Sequence, residues 1–289
     1  MKSVDANAIN HVSDTARYVA LLRAQESDRP DALFRDPWAR RLAGYPAEAM
    51  VQKFSSPRFD SRIMAVRTKI LDDLVLSLVR ENKLDTVLNL GSGLDTRVFR
   101  LELPSSLRWV EADLPRMIAY KRDLLKGETP PCEWETKAVD LSESQARKDF
   151  FKEIQIKSQR TLVITEGLLM YLTDIQVQQL ADDLLHTPSV QFWLTDLLTP
   201  QQLRWVKKRM GDFAKTNVHF APPEGPEYFR HLGWKPLAFR SFADEARRLH
   251  RESNWYRYGR LFSPLLPKWW EGERQNGIAL LGRLHPGTL

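Results

Sequence analysis

The sequence predicts an α/β fold with a mostly parallel sheet, and three observations predict it. From Asp85 onward, short apolar, β-rich runs alternate with helical stretches, the spacing at which crossover helices join parallel strands. Only helical segments precede the first good strand. That strand runs into two glycines one residue apart, Gly91-Ser92-Gly93, within "VLNLGSGLDTR" (87–97).

Residues 14–27 read as a helix capped by Ser13 or Asp14. A short helix follows, bracketed by Asp36-Pro37 at its start and Gly44 at its end. A long helix over 60–81 carries Ile63, Ile70, Leu71, Leu74, Val75 and Leu78 at helical spacing. Strands are then expected at "TVLNL" (86–90), "LRWVEAD" (107–113), "ETKAVD" (135–140), "TLVIT" (161–165) and "VQFWLTD" (190–196). Helices near 96–102, 115–126, 143–155 and 174–186 separate them. "WKPLAF" (234–239) and "GIALLGRL" (277–284) close the sheet. The segment 199–233, rich in proline, aromatic and basic residues, reads as a lid or insertion. No Gly/Ser/Pro linker divides the chain, so residues 1–289 are expected to form one domain. Its parts are a helical cap (1–84), a cofactor-binding core (85–198), the lid (199–233) and closing strands and helices (234–289).

A length of 289 residues suits one elaborated α/β domain. No window approaches ~18 uninterrupted apolar residues, so no membrane span is expected, and "MKSVDANAIN" lacks the apolar core of a signal peptide. The single cysteine, Cys132, excludes an internal disulfide framework and points to a reducing, cytoplasmic setting. The net charge of +6 is spread out; its densest run, "WVKKRM" (205–210), reads as a solvated helix face, so nucleic acid is not the expected partner. The sequence carries no signal for an oligomeric state.

The glycine turn lets backbone approach a ligand closely. A dinucleotide fingerprint would place a third small residue at position 96, but Thr96 and Arg97 stand there. A ligand with a ribose and no pyrophosphate fits better, and this is what disfavours a nicotinamide-dependent oxidoreductase. An acid to grip ribose hydroxyls belongs about twenty residues on. "WVEAD" supplies Glu111 and Asp113, 20 and 22 residues beyond Gly91. Asp140 in "VDLS" either accepts from an adenine amino group, with Leu141 against the ring, or caps the next helix. Arg67 lies on the apolar stripe of the long helix, where an unpaired charge is costly. It snorkels, pairs with Asp72 or Asp73, or holds a ligand carboxylate in its planar fork.

Tyr171, after "EGLLM", either faces substrate or packs in the core. The six histidines show no motif for a general base and no metal-ligand spacing, so no metal is expected. Trp205, Trp255, Trp269 and Trp270 concentrate in the last third, as an aromatic lid over an apolar substrate would require.

Taken together, "TARYVALLRAQES", "LFRDPWA", "RTKILDD", "NLGSGLDTRVFRL", "EADLPRMIAYKR", "VDLSE" and "TEGLLMYL" resemble the leucine carboxyl methyltransferase family. The match is strongest to its bacterial branch of S-adenosylmethionine-dependent O-methyltransferases tied to polyketide and other secondary metabolism, and runs from about 14 to 200. The resemblance implies a class I methyltransferase fold, a Rossmann-like sheet with an antiparallel C-terminal strand. It implies S-adenosylmethionine as cofactor, with Arg67 at the methionine carboxylate, Gly91 and Gly93 beneath the cofactor and Asp113 at the ribose. Asp140 and Leu141 then flank the adenine, Glu166 lies at the cofactor edge, and Arg17 matches a basic position of the first helix. Within that resemblance, whose relatives modify a protein C-terminus or transfer RNA, "RAQES" and "LDTR" point instead to a small carboxylic acid as methyl acceptor, with a hydroxyl or a protein C-terminal carboxylate as the alternatives. Intact Gly91, Gly93, Asp113 and Glu166 argue against a non-catalytic binding protein.

Overall fold

The computed structural model describes residues 12–44, 61–210, 217–252 and 275–284. Three helices come first: α1 (Val12–Ser27), α2 (Ala39–Ala43) and α3 (Ser61–Glu81). The strands are β1 (Thr86–Leu90), β2 (Arg108–Asp113), β3 (Glu133–Ala138), β4 (Thr161–Thr165), β5 (Val190–Leu197), β6 (Trp234–Ser241) and β7 (Gly277–Arg283). Between them lie α4 (Arg97–Arg100), α5 (Pro115–Leu124), α6 (Ser144–Lys157), α7 (Asp174–Leu185), α8 (Pro200–Met210) and α9 (Phe242–Arg248). Two 3-10 turns, Leu169–Tyr171 and Gly225–Leu232, complete the described elements.

One sheet holds all seven strands in the order β3-β2-β1-β4-β5-β7-β6. The first five are parallel, and β7 runs antiparallel to both its neighbours. Both β1 and β4 are buried at every position, as strands covered on both faces are. Successive residues point to opposite faces. Val87, Trp109, Leu162 and Leu194 therefore pack against α1, α2 and α3, while Leu88, Val110, Val163 and Trp193 pack against α6 and α7. The chain leaves β1 toward β2 on one side and reaches β4 on the other, which opens a crevice at the carboxyl ends of the central strands. Among the described residues, no helix is long and apolar enough to cross a membrane.

The boundaries differ from expectation in places. Helix α1 starts at Val12, so Ser13 and Asp14 lie in its first turn instead of capping it; an acid there still favours the helix dipole. The N-cap of α2 is Trp38, and Asp36, two residues before it, accepts on Oδ1 from the Ala39 amide at 3.0 Å. The helix expected at 96–102 is the single turn α4, because Leu101 turns extended. β3 sits two residues earlier than expected. Its register is set by pairing that ends at Asp113 with Ala138, which leaves Val139 and Asp140 beyond the strand.

The segment 199–233 divides into two. α8 lies along the crevice, whereas Phe220 and Phe229 are buried in the α7-side core, Phe229 edge-on to Trp193 at 5.1 Å. The second half therefore contributes Phe220 and Phe229 to the core. Trp255, Trp269 and Trp270 lie outside the described residues.

Candidate active site

The crevice is a cavity of about 440 Å³ lined at the carboxyl ends of five consecutive strands. Gly91 and Gly93 follow β1, Asp113 ends β2, Asp140 and Leu141 follow β3, Glu166 follows β4, and Asp196 lies near the end of β5. α1, α3 and α8 close the other side, with Thr15 and Tyr18, Met64 and Arg67, and Trp205 and Val206.

The glycine turn is built for close approach. Gly91 and Gly93 have φ of 63° and 49°, where a side chain is strained. A Cβ on Gly91 would also stand 3.0 Å from Leu168 Cδ1. The Gly91 amide donates to the Ala112 carbonyl at 2.8 Å, tying the turn to β2. The Gly93 amide donates to Asp113 Oδ2 at 2.7 Å, and the Leu114 amide to Oδ1 at 2.7 Å. Each Asp113 oxygen keeps a second lone pair for a ligand hydroxyl. Burial holds the Asp113 carboxyl above its ordinary value, against those two amides.

Glu111, the other acid of "WVEAD", is fully buried, outside the cavity lining, and paired to Lys121 at 2.7 Å. Alternation alone does not separate the two acids; the strand end does. Asp140 is not the cap of α6, whose N-cap is Glu143. Its Oδ1 accepts from the Ser142 amide at 3.0 Å and the Ser142 hydroxyl at 2.6 Å, an Asx-type turn that presents Leu141 to the cavity.

Arg67 is paired, though not with the acids nearest in sequence. Asp72 serves Arg97 and Arg100, and Asp73 serves Lys69. Arg67 Nη2 meets Glu166 Oε1 at 2.9 Å and Nη1 donates to Asp196 Oδ2 at 3.0 Å, while Nε is buried without a partner. Glu166 Oε2 accepts from Arg97 Nη1 at 2.6 Å. Arg97, almost fully buried, also reaches Asp95 and Asp72, each at 2.8 Å. Burial pushes the Glu166 carboxyl up, but Arg97 and Arg67 outweigh it and hold it below its ordinary value. At Asp196 burial wins over Arg67 and the Gly167 amide, and the carboxyl sits above its ordinary value.

"LDTR" is wiring to the helical cap. Thr96 Oγ1 donates to Asp36 Oδ2 at 2.6 Å, Arg23 Nε donates to the same oxygen at 2.8 Å, and Arg23 Nη2 donates to the Leu94 carbonyl. Tyr171, on the 3-10 turn after β4, lines the cavity and donates to Thr15 Oγ1 at 3.2 Å; burial raises its pKa. Arg17 is the exception among the expected residues. α1 turns positions 15, 16, 18, 19 and 23 to the cavity, while the Arg17 guanidinium lies 4.5 Å over the Tyr120 ring. Sequence reasoning missed Asp196, although it is a strand-end acid like Asp113 and "LTD" displays it. Among the described residues no cluster suits a metal ion.

The leucine carboxyl methyltransferase family model matches residues 16–185. The chain belongs to that family. A protein of Streptomyces coelicolor named for S-adenosyl-L-methionine-dependent methyltransferase activity is 36% identical over 180 residues, covering 57% of this chain and 62% of that relative. A Parafrankia protein of the same designation is 33% identical over 240 residues, 78% of this chain and 77% of its own. Among solved structures, a protein of Thermobifida fusca described as a methyltransferase superposes with a TM-score of 0.57 at 17% identity, covering 94% of each chain. A DUF574 family protein from Streptomyces avermitilis gives 0.58 at 14% identity, covering 93% of this chain and 97% of that one. The fold is that of the class I methyltransferases, as the seven-stranded order with its antiparallel β7 requires.

Proposed function

We propose that the chain is an S-adenosylmethionine-dependent O-methyltransferase that esterifies the carboxylate of a small, largely apolar acid, of the kind secondary metabolism supplies. One observation carries the reading. Groups suited to each part of the methyl donor converge on one cavity in the order of the strands: Arg67 for a carboxylate, Gly91 and Gly93 for close backbone approach, Asp113 for a ribose diol, and Asp140 with Leu141 for an adenine edge. Two buried polar atoms on lining residues, Arg67 Nε and Ser92 Oγ, have no protein partner, which fits a polar ligand there. When bound, S-adenosylmethionine supplies an electrophilic methyl group on a sulfonium.

The acceptor end supports a carboxylate over a hydroxyl. Glu166 and Asp196 are tied into ion pairs, and among the described residues no histidine lines the cavity. A hydroxyl would need a base to remove its proton; a carboxylate is already ionised at neutral pH. The protein's work is then orientation and exclusion of water, worth ~7–11 kcal/mol when geometry is right. Met64, Met170, Trp205, Val206 and Phe242 supply the apolar wall that excludes water and favours an apolar acceptor body.

Calorimetry with S-adenosylmethionine and NADH, followed by methyl-transfer assays on matched acids and alcohols, tests this. Binding of the former cofactor and methyl-ester formation on acids are expected. Tight NADH binding without a response to S-adenosylmethionine, or methylation of the alcohols alone, overturns the reading.

A further inference from the structure

We propose that Asp196 is the positioning residue of the carboxylate subsite, fixing both the Arg67 guanidinium and the turn that follows β4. The proposal rests on the reading that Arg67 meets the methyl donor's carboxylate. Arg67 reaches the cavity on a long, flexible stem from α3, and a guanidinium recognises a carboxylate only when its plane is fixed. Two anchors fix it, Glu166 on Nη2 and Asp196 on Nη1, from the ends of adjacent strands. They are not equivalent. Glu166 divides its charge between Arg67 and Arg97, whereas Arg67 is the one cation paired with Asp196 among the described residues.

The second oxygen of Asp196 does a different job. Oδ1 accepts from the Gly167 amide at 2.7 Å. Gly167 has a φ of 65°, a conformation that favours glycine, and a Cβ there would stand in ordinary contact with Arg67 Nη1 at 3.6 Å, so this turn packs directly against the guanidinium. The next residue, Leu168, is the one a Cβ on Gly91 would strike. One carboxylate thus links the carboxylate-binding arginine, the turn after β4 and the glycine turn after β1. Asp196 touches no acceptor or donor atom in this scheme; it acts through Arg67.

Asp196→Asn separates the two jobs. Its amide oxygen still accepts from Gly167, but its NH2 group meets another donor at Arg67. Affinities for S-adenosylhomocysteine and its decarboxylated analogue are measured by calorimetry in wild type, Asp196→Asn, Arg67→Met and the double variant, with unfolding curves for each. Asp196→Asn should weaken S-adenosylhomocysteine about tenfold or more, leave the decarboxylated analogue within about twofold, and cost nothing further in the Arg67→Met background. Equal losses for both ligands, additive losses in the double variant, or a lower melting temperature with unchanged affinity each overturn the proposal. If Arg67→Met itself treats the two ligands alike, the reading of Arg67 fails. If Arg67→Met discriminates and Asp196→Asn does not, only the role of Asp196 fails. Should the asparagine variant not fold, Asp196→Ser leaves a hydroxyl for Gly167, nothing to reach the guanidinium, and the same expected outcomes.

Discussion

Two buried ion clusters flank the glycine turn, and they differ in one respect that matters. Beneath β2, Glu111 and Lys121 are paired at 2.7 Å with no exposure on either side chain. At the ends of β4 and β5, Arg67 joins Glu166 and Asp196 with 11%, 14% and 8% of their side chains exposed. In the second cluster Arg67 Nε has no protein partner. Only the second lines the cavity. A buried charge is therefore not in itself what distinguishes the two clusters; contact with the cavity is.

Breaking the sealed cluster should give the largest effect. Lys121→Met strands the Glu111 carboxylate, and removing one partner of a buried pair typically costs ~3–5 kcal/mol. Denaturant unfolding should show that loss, while the affinity of the protein that remains folded stays near wild type. A variant of normal stability but poor cofactor binding would place Lys121 in the site and erase the contrast.

Breaking the open cluster should do the reverse. Arg67→Met is expected to lower S-adenosylhomocysteine affinity by ~1.5–3 kcal/mol, the worth of a hydrogen bond to a charged group. Its stability cost should be smaller than that of Lys121→Met, because Glu166 keeps Arg97 and Asp196 keeps the Gly167 amide. Matched unfolding and titration curves for the two variants test the ordering.

The acids of "WVEAD" sharpen the comparison within one strand. Asp113→Ala should weaken the cofactor by a similar ~1.5–3 kcal/mol, and Glu111→Ala should instead destabilise by leaving Lys121 unpaired. Equal affinity losses in the two would show that the sealed cluster does reach the ligand.

The smallest expected effect is on acid sensitivity. Burial raises the Asp36 carboxyl, yet Arg23 and Thr96 together hold it below its ordinary 3.8. A depressed carboxyl contributes stability that is complete above its unfolded value and lost as pH falls through its folded one. Asp36→Asn should therefore flatten the decline of stability below about pH 4. An unchanged acid limb in pH-dependent unfolding would remove Asp36 from that account.

Much of this was legible in the sequence. Strand runs, glycine turn and helical cap follow from apolar periodicity and turn chemistry, which act over a few residues. The carboxylate at the end of "WVEAD" could be placed because strand ends point to the crevice in this class of fold. What could not be read were partners fixed by topology. Arg67 meets an acid 129 residues away, and the acids at 72 and 73, five and six positions along the same helix, are claimed by others. In the sequence, Thr96 and Arg97 interrupt a glycine pattern and belong to a family-like motif, but neither reading names their partners. Their function as ties to Asp36, Asp72 and Glu166 depends on how the cap docks. β3 was misplaced by two residues because an edge strand, half exposed, carries a weaker apolar signal than the strand that sets its register.

The position of β7 bears on how the chain is made. Among the described residues the last strand in sequence lies between β5 and β6, and β6 joins the sheet through it. During synthesis the first five strands can pair in order, since each finds its neighbour already present. β6 cannot. It emerges before β7, the strand through which it joins the sheet, and it waits through residues 242–276 for Gly277–Arg283 to arrive. Until then the β5 edge is open, although the strands before it can already have paired. The nascent chain is therefore most vulnerable to edge-to-edge association between the emergence of β5 and that of β7.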